Sequence, residues 1–132
     1  MKTISLMAVI LGTLCLAPAL ARQAPTVTYE MFCSKDRMGK QELFKTMTAE
    51  QKTMLWRTQI ERWRDLNRAR LTADQRALLD EFHAIIPLAV ARPRTLEGDA
   101  KLEALEARLT AAFTEDEMDA MDNYGPCLAK AR

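Results

Sequence analysis

Leu71-Thr72-Ala73-Asp74-Gln75 decides how this chain is read. A threonine hydroxyl can accept from the amide three residues on, and a glutamine there can reach back to the threonine amide. The five residues are therefore a capping box, preceded by an apolar residue suited to a hydrophobic staple. Met47-Thr48-Ala49-Glu50-Gln51 repeats the pattern, and Phe113-Thr114-Glu115-Asp116-Glu117 repeats it with glutamate in the last place. The acids in each first turn also suit the positive end of a helix dipole. Three boxes predict three helix starts.

Apolar spacing extends each start into a helix. The first long helix is expected over Ala49–Arg70, with Trp56, Ile60, Trp63 and Leu66/Asn67 three or four apart on one stripe. The second runs from Ala73 to the neighbourhood of Pro87, with Leu78, Phe82, Ile85/Ile86 and Ala89 as its stripe; Pro87 ends or kinks it. Residues 87–95, with Pro87, Pro93, Arg92 and Arg94, read as the longest loop. A third long helix starts at Leu96 or Asp99 and reaches Ala112, striped by Leu102, Leu105, Leu109 and Ala112/Phe113. A last helix, Glu115–Asn123, buries Met118 and Met121 and stops at Tyr124-Gly125-Pro126, where Gly125 suits a left-handed cap and Pro126 prevents continuation. Ahead of the first box, Tyr29–Met47 reads as a short helix on each side of Gly39, and residues 22–29 as an extended lead-in without a core of their own. No stripe is long enough to stand alone. The expectation is an all-α domain: a small antiparallel bundle of three main helices with short terminal helices.

The first 21 residues have a different character. Lys2 supplies a positive start, Ile4–Leu16 a short apolar run, and Ala19-Leu20-Ala21 a cleavage site. The run is too short to span a bilayer and is cut off by Pro18, so residues 1–21 read as a secretory signal peptide. Residues 22–132 then form a single helical domain of 111 residues, secreted or periplasmic, with cleavage after Ala21. Losing Lys2 leaves 18 Lys+Arg against 18 Asp+Glu. A neutral chain has no overall electrostatic pull towards nucleic acid or anionic lipid.

Cys15 lies inside the signal peptide, and Leu14 before it does not suit lipidation. Cys33 and Cys127 remain, near the two ends of the domain, and in an oxidising compartment they are expected to form one disulfide. Closing so long a loop stabilises by about 4 kcal/mol in the chain-entropy model. Two thiols and one distant histidine make no recognisable metal-ligand set, so neither a metal nor a cofactor is expected.

Candidate chemistry is sparse. His83 is the only histidine and Ser34 the only serine of the mature chain, and neither sits in a nucleophile motif. No catalytic residue is assigned and no enzymatic activity is expected. Trp56 and Trp63, seven apart, read first as core anchors, and the methionines mostly as gap-fillers at core spacing. The alternative is an interaction surface made of Trp56, Trp63, Arg57, Arg64 and Arg68, on a helix that also carries Arg62 and Arg70. Such a basic amphipathic helix can lie on a membrane. A solvated face neutralised by the acidic run Glu115–Asp122 explains the same residues and is the favoured reading.

Two resemblances bear on function. Leu55-Trp56 on a first helix, Gln75-Arg76 on a second, then Phe113 with an acidic helix and Tyr124-Gly125-Pro126, resemble the helical region of the bacteriocin fulvocin C-related family. The resemblance covers Thr48–Pro126. It implies a secreted, non-enzymatic protein acting by binding, through a protein partner, or in interbacterial competition. Members of that family continue into a cysteine-rich tail, whereas here six residues follow Pro126, with Cys127 alone among them. Leu71-Thr72-Ala73-Asp74-Gln75 also resembles the LTxxQ motif of periplasmic stress chaperones, and Met47-Thr48-Ala49-Glu50-Gln51 nearly does. That resemblance implies a binder of unfolded proteins.

Overall fold

The computed structural model of the protein describes residues 26–132. The stretch read as a signal peptide, its expected cleavage site and Cys15 lie outside the described residues. Six helices follow one another: α1 (Tyr29–Cys33), α2 (Arg37–Thr46), α3 (Ala49–Leu66), α4 (Ala73–Val90), α5 (Leu96–Ala112) and α6 (Glu115–Met121). A single 3-10 turn, Arg68–Arg70, joins α3 to α4. The described residues are all-helical, as expected, and none of these helices is long and apolar enough to cross a membrane.

All three capping boxes form, at Thr48/Gln51, Thr72/Gln75 and Thr114/Glu117. The apolar residues ahead of them, Met47, Leu71 and Phe113, are each 6% exposed, so each box also anchors the chain to the core. Thr95 caps α5 by accepting from Gly98 N at 2.9 Å. That places the start at Leu96, and with glycine at the third position there is no side chain to complete a box. Caps of this kind are worth about 1 kcal/mol each.

Four sequence expectations need correction. The first concerns Pro87. α4 does not stop there but runs to Val90, so the loop shrinks to residues 91–95. A proline has no N–H for the carbonyl four residues back and crowds it; here that carbonyl is His83 O, and it accepts from Arg57 Nε at 2.9 Å instead. The second concerns Gly39. The break between the first two short helices falls at 34–36, where Asp36 caps α2 by accepting from Gly39 N at 2.7 Å. Gly39 lies inside the helix.

The third concerns Gly125. It has no positive φ, so it is not a left-handed cap, and α6 ends at Met121. Its smallness serves close approach: a Cβ there would stand 2.8 Å from Asp119 O and 2.9 Å from the carbonyl oxygens of Ala120 and Asp122. The fourth concerns burial. Leu66, Met31, Met38 and Met54 are exposed, whereas Val27, expected in a coreless lead-in, is buried. Val27 belongs with Tyr29, Phe32, Met47 and Leu55 to a second core cluster under α1 and α2. The main cluster lies between α3, α4 and α5 and includes Ile60, Trp63, Leu79, Ile86, Leu109 and Phe113, with Met121 of α6 closing one end.

Cys33 and Cys127 meet at disulfide distance, with Cα atoms 5.4 Å apart. The C-terminal segment is also held by polar side chains spaced by three along α3. Trp56 Nε1 donates to Met121 O at 3.2 Å. Gln59 Nε2 donates to Ala120 O at 2.7 Å and Pro126 O at 2.9 Å, and Arg62 Nη1 to Leu128 O at 3.0 Å. The carbonyls of Ala120 and Met121 belong to the last turn of α6 and have no partner within the helix; α3 supplies it. Gln59 is buried, and its side-chain oxygen accepts from the Tyr29 hydroxyl. Lys40, also buried, donates to Gly125 O at 3.2 Å.

Candidate functional site

The candidate site is a cleft of about 320 Å³ bounded by α3, α4, α5 and α6. Trp56 comes from α3, Phe82, Ile85 and Ala89 from α4, Leu102, Leu105 and Leu109 from α5, and Met118 from α6. The polar residues of its lining are Arg94, Glu106, Asp119 and Asp122. An apolar hollow with a few polar groups is the usual form of a small-ligand site. A second, more open hollow between α3 and α4 is lined by Thr53, Met54, Arg57, Glu61, Pro87 and Val90 among others. It has no aromatic side chain.

Trp56 positions the first cleft. Its indole N–H is fixed to Met121 O, and its ring meets Phe82 edge-on with centroids 5.5 Å apart. The half-buried tryptophan thus joins the end of α6 to the middle of α4, with Met118 one turn before the anchoring carbonyl. Arg94, the single base of the lining, is turned to other work: it pairs with Asp99 at 3.6 Å and donates to Ala89 O at 3.2 Å. Glu106 and Asp119 are exposed and, among the described residues, make no ion pair. Burial pushes the Asp122 carboxyl above the usual range, and Asp119 adds repulsion; the backbone N–H groups of Asn123 and Tyr124 and the charge of Arg37 oppose the shift. The cleft is an apolar space with a net negative lining.

The residues singled out from the sequence are dispersed. Trp63 is 4% exposed, edge-on to Phe113 at 5.8 Å, and Arg70 covers its ring at 5.3 Å. It is a core anchor and does not share a surface with Trp56. Every arginine of the α3 run has an intramolecular partner. Arg57 bonds His83 O and Ala84 O, Arg62 pairs with Glu30 at 2.9 Å, and Arg64 with Asp80 at 3.5 Å. Arg68 pairs with Asp65 at 3.2 Å and Arg70 with Glu117 at 3.4 Å. Only Arg70 reaches the acidic helix. His83 Nε2 lies 2.7 Å from Glu61 Oε1 at a half-exposed position, while Ser34 donates to Met31 O within α1.

Periodicity puts Phe82, Ile85, Leu102, Leu105, Leu109 and Met118 on stripes that core packing alone explains. Asp119 and Asp122 belong to a charge run, and no motif singles out Glu106. The usable signal was the spacing of Met118, Asp119 and Asp122, which puts an apolar residue beside two acids on a helix too short to bury itself. No protein-family model, curated protein or solved structure matches this chain.

Proposed function

We propose that this chain is an exported, non-enzymatic helical binding domain of the kind found in fulvocin C-related proteins, and that it acts by holding an apolar ligand in the Trp56–Phe82–Met118 cleft. The observation that carries this reading is the cleft itself: apolar side chains from four helices around about 320 Å³, with the tryptophan fixed by a backbone hydrogen bond. The signal-like start of the chain and the cysteine pair at disulfide distance support export to an oxidising compartment. Interbacterial competition is the biological setting that the resemblance suggests.

The likeness to LTxxQ chaperones rests on residues that the fold employs. Leu71 is buried, Thr72 caps α4, and Gln75 completes the box and donates to Ala112 O at 3.0 Å. They point to no client surface.

The test is titration of the oxidised protein with a neutral aromatic probe, 4-phenylbutanol, followed by NMR. Saturable shifts at the Trp56 indole and the Met118 methyl are expected. No saturable shift with any aromatic probe, or shifts confined to the Met54 side of α3, would overturn the assignment. Suppression of client aggregation at equimolar protein, without shifts in the cleft, would replace it with the chaperone reading.

A further inference from the structure

The lining of the cleft says what charge its occupant carries, an inference that rests on the cleft being the binding site. Three carboxylates, Glu106, Asp119 and Asp122, stand against one guanidinium, and Arg94 is already matched by Asp99. Glu106 and Asp119 have no ion-pair partner among the described residues, although the same chain matches all five arginines from Arg57 to Arg70. Two aromatic rings, Trp56 and Phe82, share the lining with these acids. Aromatic faces attract cations, and more strongly when water is partly excluded. A volume of about 320 Å³ is at the small end for ligand sites, room for one ring and a short chain but not for a helix.

We propose that the cleft binds a small organic cation, an aromatic or alkyl group ending in an amine or quaternary ammonium. Its apolar body lies against Trp56, Phe82 and Met118. Its charge lies towards Glu106 and Asp119. Exposed carboxylates attract a cation modestly and in a salt-dependent way, so charge sets the preference and the apolar contact sets most of the affinity.

The experiment compares three probes of one shape on the oxidised protein by calorimetry at low salt: 4-phenylbutylammonium, 4-phenylbutanol and 4-phenylbutanoate. The cation is expected to bind about fivefold tighter than the alcohol, and the alcohol tighter than the carboxylate. In the variant carrying Glu106→Gln and Asp119→Asn, the preference for cation over alcohol, measured as a ratio within that variant, is expected to shrink to about twofold or less. Both side chains are exposed and unpaired, so the exchange leaves the fold intact. Equal binding of the three probes, or tighter binding of the carboxylate, would overturn this inference while the cleft stands as the site. So would a cation preference that survives the double substitution. Failure of all three to bind would remove the cleft assignment as well.

Discussion

Arg57 takes the place of a backbone amide for His83. Its Nε donates to His83 O at 2.9 Å, the carbonyl that Pro87 leaves without a helical donor, and its Nη2 reaches Ala84 O at 3.4 Å. The cost of a proline in a helix interior, about 3 kcal/mol, is thereby reduced by a side chain from the neighbouring helix. Replacing Arg57 by Met keeps the stem and removes the donor. Urea unfolding should show a loss of about 1–3 kcal/mol. In a Pro87→Ala background the amide returns, and the same Arg57→Met change should cost about 1 kcal/mol less. Additive costs would show that Arg57 acts elsewhere.

Glycines 39 and 125 should respond differently to alanine. At Gly125 a Cβ would press on three backbone carbonyls at 2.8–2.9 Å, none of which can swing away. Gly125→Ala should lower stability by about 1–3 kcal/mol and weaken the Lys40 contact to the same residue. Gly39 sits inside α2, where a Cβ would meet the Asp36 carboxylate at 3.0 Å and the Lys35 side chain at 3.1 Å. The Lys35 contact is its Cβ, tied to the backbone, and the Asp36 contact is the oxygen that caps α2, so both give only by a few tenths of an ångström and at some cost to the cap. That cost opposes the roughly 1 kcal/mol by which alanine is better than glycine in a helix. Gly39→Ala should leave thermal stability close to that of the wild type.

Local chemistry was legible in the sequence and long-range compensation was not. A capping box spans four residues, so Thr48, Thr72 and Thr114 announce themselves without reference to the rest of the fold. The continuation of α4 past Pro87 depends on Arg57, 26 residues before the carbonyl it serves. Nothing near the proline reveals it. Gly125 and Pro126 correctly marked a stop, but the reason for glycine is the crowding of carbonyls from α6, a property of the folded turn. The tryptophans show the same limit. Seven residues apart on one helix, Trp63 faces Phe113 in the core, while Trp56 faces a gap whose other walls come from α4, α5 and α6. A cleft between helices is set by how they pack, and periodicity along one helix does not encode it.

The cysteine pair closes a sequence separation of 94 residues. Oxidised protein should weigh two daltons less than the dithiol. Reduction should lower the unfolding free energy by about 4 kcal/mol in the chain-entropy model. Gln59, Lys40 and Arg62 still hold the C-terminal segment by hydrogen bonds. Reduced protein is therefore expected to stay helical by circular dichroism at low temperature and to melt earlier. Equal melting temperatures with and without reductant would exclude a structural bridge.

Anionic vesicles should leave the tryptophan emission unchanged. Trp63 is in the core, the Trp56 N–H is bonded to Met121 O, and the arginines of α3 and of the turn after it are matched within the protein. Lifting this helix onto a bilayer would first break those contacts. A blue shift on vesicle addition would show that it does open, and would return Trp56, Arg57, Arg64 and Arg68 to consideration as a membrane-seeking surface.

Asp122 gives the fold a pH dependence of its own. Burial raises its folded-state pKa above the ordinary aspartate value, so the folded protein holds this proton to higher pH than the unfolded chain does. The sign follows from linkage. This group favours folding most when both states are protonated, and that advantage is lost as pH rises through the folded pKa. Asp122→Asn keeps an acceptor for the Asn123 and Tyr124 amides and removes the buried charge. At neutral pH the variant should therefore be the more stable protein in urea, and its advantage should narrow as pH falls below the aspartate range. Glu30 and Glu81 act in the opposite sense: Arg62 and Arg108 hold their carboxyls below the usual range, so their contributions are present at neutral pH and lost on acidification. Both are exposed and occur alike in wild type and variant, so they cancel in the comparison. A stability difference independent of pH would show that the Asp122 carboxyl is not shifted, and that the cleft is wetter at that end than its lining implies.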